Sequence, residues 1–398
     1  MTEPATTPAA PGAPSAFFES AFAGNPYPFF AGIRANAPVM KVPDADLWIV
    51  TRYDDVLRVL RDWETFSSVV TARAAGEEVS PSILFDDPPI HTRMRGLLTK
   101  AFTPRVIEEQ RPAIEENCGR MVEAMLRQET PDLIASLAYP LPVMVIAGML
   151  GVQDGDMATF KRWSDAIIQN VGTAIFTGDQ SAIADVNAEF DAYFGERLNK
   201  LRRDPEENLL SELVHAETED GRLSQADLLL VCRVLLVAGN ETTTGLIVNT
   251  IRAFAEFPDE MLRVKANPAL VPSAIEESLR YYAPFPATFR RATRDVEIAG
   301  VTIPKDARVL PMIASANRDE TQFTDPDRYI ADREPNRHVA FGMGIHYCLG
   351  APLARLEGAI TLETLLPRIT GVEIIDTDAE GLMRPGGPDR LRVRFALG

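Results

Sequence analysis

The sequence predicts a mainly α fold with a small β portion, and three observations carry that expectation. Apolar residues recur at helical spacing across residues 106–200, for example at Leu133, Leu137, Leu141, Val145 and Met149. A second helical pattern, apolar on almost every side, follows Ser224 and runs past Thr242. Strand-like alternation is confined to the early run Leu47-Trp-Ile-Val-Thr51 and to a late stretch at 284–304.

Composition narrows the classes. The 398 residues are 46% hydrophobic and 24% charged, as suits a globular chain with a large core. No linker divides it, so residues 16–398 are expected to form a single domain. Residues 1–15, rich in Ala, Pro and Thr, cannot bury enough surface to order themselves and read as a disordered tail. Cys118, Cys232 and Cys348 are too far apart for a disulfide framework, which points to a reducing cytoplasm. No secretory signal and no apolar run of about 18 residues is visible, so no membrane partner is expected. A net charge of −17 with no long basic run argues against nucleic acid.

Taken in order, residues 25–34 open as a helix, residues 47–51 as a strand, and the stretch after Tyr53 returns to helical spacing. Residues 67–85 lack periodicity and read as a long loop of the kind that carries function. Pro88 and Pro89 then start a helix on which His91 and Arg95 lie four apart on one face. Two donors side by side can hold an anionic group, although a solvated helix face looks the same in sequence. Residues 106–200 read as four helices, broken at Thr130-Pro131, at 151–155 and at 172–178.

Ser224 caps the long apolar helix, which Arg233 interrupts and which reads as too short to span a membrane. In its middle, Ala238-Gly-Asn-Glu-Thr242 combines a weak helix former, Gly239, with threonines whose hydroxyls can bond back to carbonyls. A local bulge is expected there. Further on, Glu277 and Arg280 stand three apart on a helix as an ion pair. The 284–304 stretch reads as strands joined by a turn at Gly300, and 317–337 as an irregular segment carrying prolines.

The most specific stretch is Phe341-Gly-Met-Gly-Ile-His-Tyr-Cys-Leu-Gly350, followed by a helical pattern that begins at Ala351-Pro352. Gly342, Gly344 and Gly350 allow backbone angles and close approaches that a side chain would forbid. Backbone N–H groups at the start of that helix would point at the Cys348 sulfur and favour its thiolate. Structural zinc is a poor alternative, because it wants four closely spaced ligands and this chain has three scattered cysteines and four histidines.

The chain resembles the cytochrome P450 family over residues 18–395. Four motifs carry the likeness in the expected order: His91 with Arg95, Ala238 to Thr242, Glu277 with Arg280, and Phe341 to Gly350. The resemblance implies a fold that holds haem b between the long central helix and the cysteine loop with its following helix. It implies Cys348 as proximal thiolate ligand, with Phe341, Gly342, His346 and Gly350 forming the ligand loop. It puts His91, Arg95 and Arg290 on the haem propionates, although Arg291 is adjacent and the match could slip by one. Ala238 and Gly239 fall beside the haem, Glu241 takes the acid role and Thr242 the alcohol role in oxygen activation. Arg333 becomes the third member of a buried network with Glu277 and Arg280, the 67–85 loop closes over substrate, and residues 167–176 form a mobile roof.

The function so implied is monooxygenation of an apolar small molecule with O₂ and NAD(P)H, by a monomer drawing electrons from a ferredoxin and its reductase. Two alternatives stay open: a haem-thiolate protein that only binds or senses, and a peroxide-driven peroxygenase. Glu241 and Thr242 speak against both. Arg93 and Lys100 point away from His91 and Arg95 on their helix; with Arg337 and Arg355 they are expected to form a solvent-facing basic patch for an acidic donor. The substrate itself has no signature in the sequence.

Overall fold

The structure, a computed structural model, describes residues 25–43, 45–70, 83–177, 181–218, 221–378 and 387–398. For residues 100, 101, 154, 168–177, 217 and 218 it describes only the backbone. The 1–15 tail and most of the 67–85 loop therefore lie outside the described residues.

Helices make up most of the chain. Tyr27–Asn36 and Tyr53–Arg61 flank the strand Leu47–Val50, as the spacing predicts. The four helices expected across 106–200 are Arg111–Leu126, a π turn at Ile134–Ala138 that leads into Pro140–Met149, Met157–Thr177, and Ala184–Leu201. A short helix, Pro104–Glu108, precedes them. The break expected over 172–178 comes only at its far end, because the helix runs through Gly172 on to Thr177. One glycine in a helix costs only about 1 kcal/mol, which good periodicity on both sides outweighs.

The five-stranded sheet joins distant parts of the chain. Val39–Lys41, Leu47–Val50, Arg308–Pro311, Arg290–Ala292 and Phe66–Ser67 lie side by side in that order. Leu47–Val50 pairs in parallel with Arg308–Pro311, which fixes the N-terminal region against the late strands. The turn at Gly300 is present between Val296–Ile298 and Val301–Ile303, with Gly300 at φ 79°. Two apolar clusters form the core: a larger one among the helices, including Leu141, Phe190, Phe254 and Leu362, and a smaller one on the sheet, including Phe30, Ile49, Phe66 and Val309. Ala340, at the threshold of the cysteine loop, packs against both.

The central helix, Gln225–Glu256, is 32 residues long, about 48 Å at 1.5 Å per residue. Ser224 and Asp227 close a capping box at its start: Asp227 N–H donates to Ser224 Oγ at 3.1 Å and Ser224 N–H to Asp227 Oδ2 at 2.9 Å. Contrary to the expectation from Arg233, this helix is long and apolar enough to cross a membrane by length and composition. Of its most apolar stretch 56% is buried, so the apolar surface is spent largely on packing.

Glu277 and Arg280 are fully buried on the helix Val271–Tyr281. Arg280 donates to both carboxylate oxygens of Glu277 at 2.7 and 2.8 Å, and Arg333 Nε donates to Glu277 Oε1 at 3.0 Å. Arg280 also donates to the carbonyls of Asn317, Pro326 and Arg328. The irregular 317–337 segment is thus held by a charge network where regular secondary structure gives no hold.

Candidate functional site

The 341–350 loop turns sharply. Cys348 N–H donates to Phe341 O at 2.9 Å, and Gly342 N–H to Val339 O at 2.9 Å. Gly342 and Gly344 have φ of 69° and 73°, where a side chain is strained. A Cβ on Gly344 would also lie 2.9 Å from the carbonyl oxygen of Leu60, so the loop rests directly on the helix Tyr53–Arg61. Gly350 does not fit that account: its φ is −81°, and a Cβ there would meet no protein atom. No backbone angle or protein contact requires glycine at that position.

Cys118 and Cys232 are buried in the helical core, whereas Cys348 is partly accessible. Burial pushes the Cys348 thiol above its usual pKa, while the backbone N–H groups of Gly350 and Ala351 and the charges of Arg95 and Arg355 pull it down. The helix-start effect expected from sequence is present, but desolvation outweighs it in the protein alone. A metal ion at the sulfur reverses that balance, because a coordinating thiol is deprotonated outright.

Facing the loop stands the helix Ile90–Ala101, which carries His91 and Arg95 one turn apart. The rings of His91 and His346 lie 4.3 Å apart, and the Nε2 atoms of both are buried with no hydrogen-bond partner in the structure. Burial lowers the pKa of His91, and burial together with Arg290, His91 and Arg95 takes His346 down to about 3. Both rings are therefore neutral at pH 7. Arg290 is also buried; desolvation lowers its pKa to about 10, with Asp87 acting against the shift. It donates to the carbonyl of Phe289 at 2.7 Å. Arg291 is committed elsewhere, to Val69 O at 2.9 Å and Asp306 Oδ1 at 2.7 Å.

The central helix contributes an open side. Ala238, Glu241 and Thr242, at i, i+3 and i+4, share one direction and are all at least partly accessible. Thr242 Oγ1 donates to Ala238 O at 2.7 Å. The expected bulge is absent: the helix is α throughout. Back-bonding by Thr242 adds to the i→i−4 ladder without replacing it, and Asn240 Nδ2 ties the next face to Ser164 Oγ at 3.0 Å. A Cβ on Gly239 would sit 2.6 Å from Ile146 Cδ1, so a side chain there would make Ile146 move. Glu241 has its pKa raised to about 7, by burial and then by Asp389.

These residues fit a flat, iron-containing dianion. His91 and Arg290 are buried and Arg95 and His346 half-buried, the two histidines have orphaned Nε2 atoms, and the Cys348 sulfur lies within reach of Arg95's charge. Among the described residues no group of three or more His, Cys, Asp or Glu could hold a bare metal ion.

The expected basic patch is not assembled as the helix geometry suggested. Arg93 is half-buried and donates to Arg222 O at 3.1 Å, and Arg355 is paired with Glu276 at 2.6 Å. The bond to the strand Gly221–Arg222 and the ion pair with Glu276 commit both cations to partners, and the side chain of Lys100 lies outside the described residues. Arg337 is exposed. Sequence reasoning also missed Ser164, Ile146 and Glu276, which act across elements and leave no local spacing signal.

The family model described as Cytochrome P450 matches residues 38–370. The chain is 38% identical to Cytochrome P450 monooxygenase PikC of Streptomyces venezuelae over 394 residues, covering 95% of this chain and 92% of that protein. Among solved structures it is similar to cytochrome P450 CYP109Q5 from Chondromyces apiculatus, at 38% identity and a TM-score of 0.86, covering 95% of this chain and 97% of the other. It is also similar to CYP109E1 from Bacillus megaterium in complex with testosterone, at 36% identity and a TM-score of 0.84, covering 93% and 99%.

Proposed function

Because this chain belongs to the cytochrome P450 family, whose haem b is held by a cysteine thiolate, we propose that it oxidises an apolar small molecule at a haem ligated by Cys348. The observation that carries this reading is the convergence of His91, Arg95, Arg290 and His346 around the accessible Cys348. The bound haem supplies the redox centre for O₂, with electron density pushed onto iron by the thiolate. Everything else falls to the chain.

Arg95 and Arg290 would neutralise the propionates, with His91 and His346 able to donate from Nε2. Phe341 and Gly342 would shape the ligand loop, Gly350 would leave room beside the sulfur, and Ala238 would keep the open helix face low, whereas Gly239, expected beside the haem, faces Ile146 instead. Glu241, whose pKa is raised to about 7 and which is therefore partly protonated at neutral pH, holds the proton that the site consumes. Thr242 has its own hydroxyl hydrogen on Ala238 O, so its lone pairs are free to accept from a water. Glu241 could then pass its proton to a water that Thr242 holds in place by accepting its hydrogen bond, and the Glu241 carboxylate would be left to be reprotonated from solvent.

NAD(P)H supplies the electrons through a ferredoxin reductase and a ferredoxin, in the cytoplasm, to a monomer whose single domain is residues 16–398. The testosterone complex of CYP109E1 supports a steroid-sized apolar substrate. The test is turnover of a steroid, terpenoid and fatty-acid library with ferredoxin, reductase and NAD(P)H, against turnover with peroxide alone. Product that requires O₂ and the electron donors supports monooxygenation. Product with peroxide only makes the protein a peroxygenase, and none in either arm, with haem bound, makes it a sensor.

A further inference from the structure

Glu276 and Glu277 are neighbours on one helix but serve different groups. Glu277 is buried under Arg280, while Glu276 accepts from Arg355 Nε at 2.6 Å and Nη2 at 2.9 Å. Its Oε2 also lies 3.0 Å from His338 Nε2. Ala340 N–H donates to His338 Nδ1, which leaves Nε2 as the donor to Glu276. Arg355 in turn lies over the ring of Phe341, 4.5 Å from its centroid, with Nη1 3.4 Å from Tyr347 Oη. Glu276 therefore grips the cysteine loop at two places: through His338 just before it and through Arg355 across its first residue.

The charge pattern adds to the geometry. Arg355 acts on Cys348 as a positive charge that favours the thiolate. Burial opposes ionisation of Glu276, but its hydrogen bonds from Arg355 and His338 prevail and lower its pKa to about 2. The two charges thus stand as a fixed opposed pair behind the sulfur. Arg355 is 36% and Glu276 28% exposed, so solvent screens the pair without dissolving it.

We propose that Glu276 and Arg355 are positioning residues whose opposed charges, stacked behind Phe341, set the reduction potential of iron bound at Cys348. Reduction adds a negative charge at the iron–thiolate unit. An uncompensated Arg355 favours that state and an uncompensated Glu276 disfavours it. The inference rests on Cys348 as the ligand, and the experiment separates the two claims.

The measurement is the midpoint potential of haem-loaded Glu276→Gln, Arg355→Gln and the double variant, each checked for the red-shifted Soret band of its reduced CO complex. A normal band shows the ligand is intact; its absence already in the wild type would remove the premise without touching the pair. Glu276→Gln is expected to shift the potential positive and Arg355→Gln negative, with the double variant close to wild type. Shifts of one sign in both single variants, or a single variant at the wild-type potential, would overturn the proposal. If one single variant fails to load haem, the other single variant and the double variant still decide it, because a double variant displaced as far as the surviving single one contradicts charge balance.

Discussion

The ring of His346 lies 4.3 Å from that of His91, although the two come from opposite walls of the site, the cysteine loop and the helix Ile90–Ala101. Both present a buried, unpartnered Nε2. A buried polar atom left unpaired costs about 1–3 kcal/mol, so two side by side mark a place shaped for an acceptor. Replacing His91 with Phe keeps an aromatic ring, somewhat larger, and removes the donor. Haem retention should weaken by roughly 10-fold or more for one such charge-assisted bond, with the far-UV spectrum of the protein unchanged. Transfer of haem to apo-myoglobin measures it, and an unaltered transfer rate would remove His91 from the haem-holding set.

Glu241 gives the pH dependence. Its pKa is raised to about 7 from 4.5, chiefly by burial, so the proton it can deliver is present below that value and lost as pH rises through it. The fraction of electrons that reach product should fall across the same range, and Glu241→Gln should flatten the profile at a low level. Linkage gives a second readout with a definite sign. The folded state binds this proton more tightly than the unfolded chain, so stability declines as pH rises from about 4.5 to about 7. The Gln variant should lose that part of the slope in Tm against pH.

Thr242→Ala removes the hydroxyl but not the helix, because the ladder does not depend on the bond to Ala238. Haem and substrate should bind as before, while NAD(P)H consumption yields peroxide or water with less product. Loss of a positioned proton donor is worth about 10²–10⁴-fold, and an alternative water route would reduce that figure. Product formed per NAD(P)H consumed checks it; equal yields in the two proteins would assign Thr242 to helix packing alone.

Glu277→Gln concerns the fold and not the chemistry. It leaves Arg280 buried beside Arg333 without the carboxylate that binds both. Breaking one partner of a buried pair costs about 3–5 kcal/mol. Urea unfolding should show a lower midpoint with an unchanged slope, together with reduced haem content in the protein as purified.

Much of the fold and the candidate site could be read in the sequence because its signals are local. Gly342 and Gly344 announce backbone angles, Ser224 with Asp227 announces a helix start, and periodicity marks the helices around Leu141 and Phe190. Where a feature depends on a partner from another element, the sequence misleads or is silent. Gly239 looks like a helix breaker until Ile146 is seen lying against it. Gly350 looks like a backbone requirement, yet its φ is ordinary. Arg355 looks like a free surface charge, yet Glu276, 79 residues earlier, holds it. Arg290 and Arg291 are equivalent in spacing, and only pairing of the second with Asp306 separates them.

The claim on which the rest depends is that Cys348 binds iron. The direct measurement is the absorption spectrum of the dithionite-reduced protein under CO, for the wild type and for Cys348→His. The wild type should show the strongly red-shifted Soret band of a thiolate-ligated haem, and the variant should retain haem but lose that band. A wild-type band at the position typical of histidine-ligated globins, or a red-shifted band that survives in Cys348→His, would contradict the account.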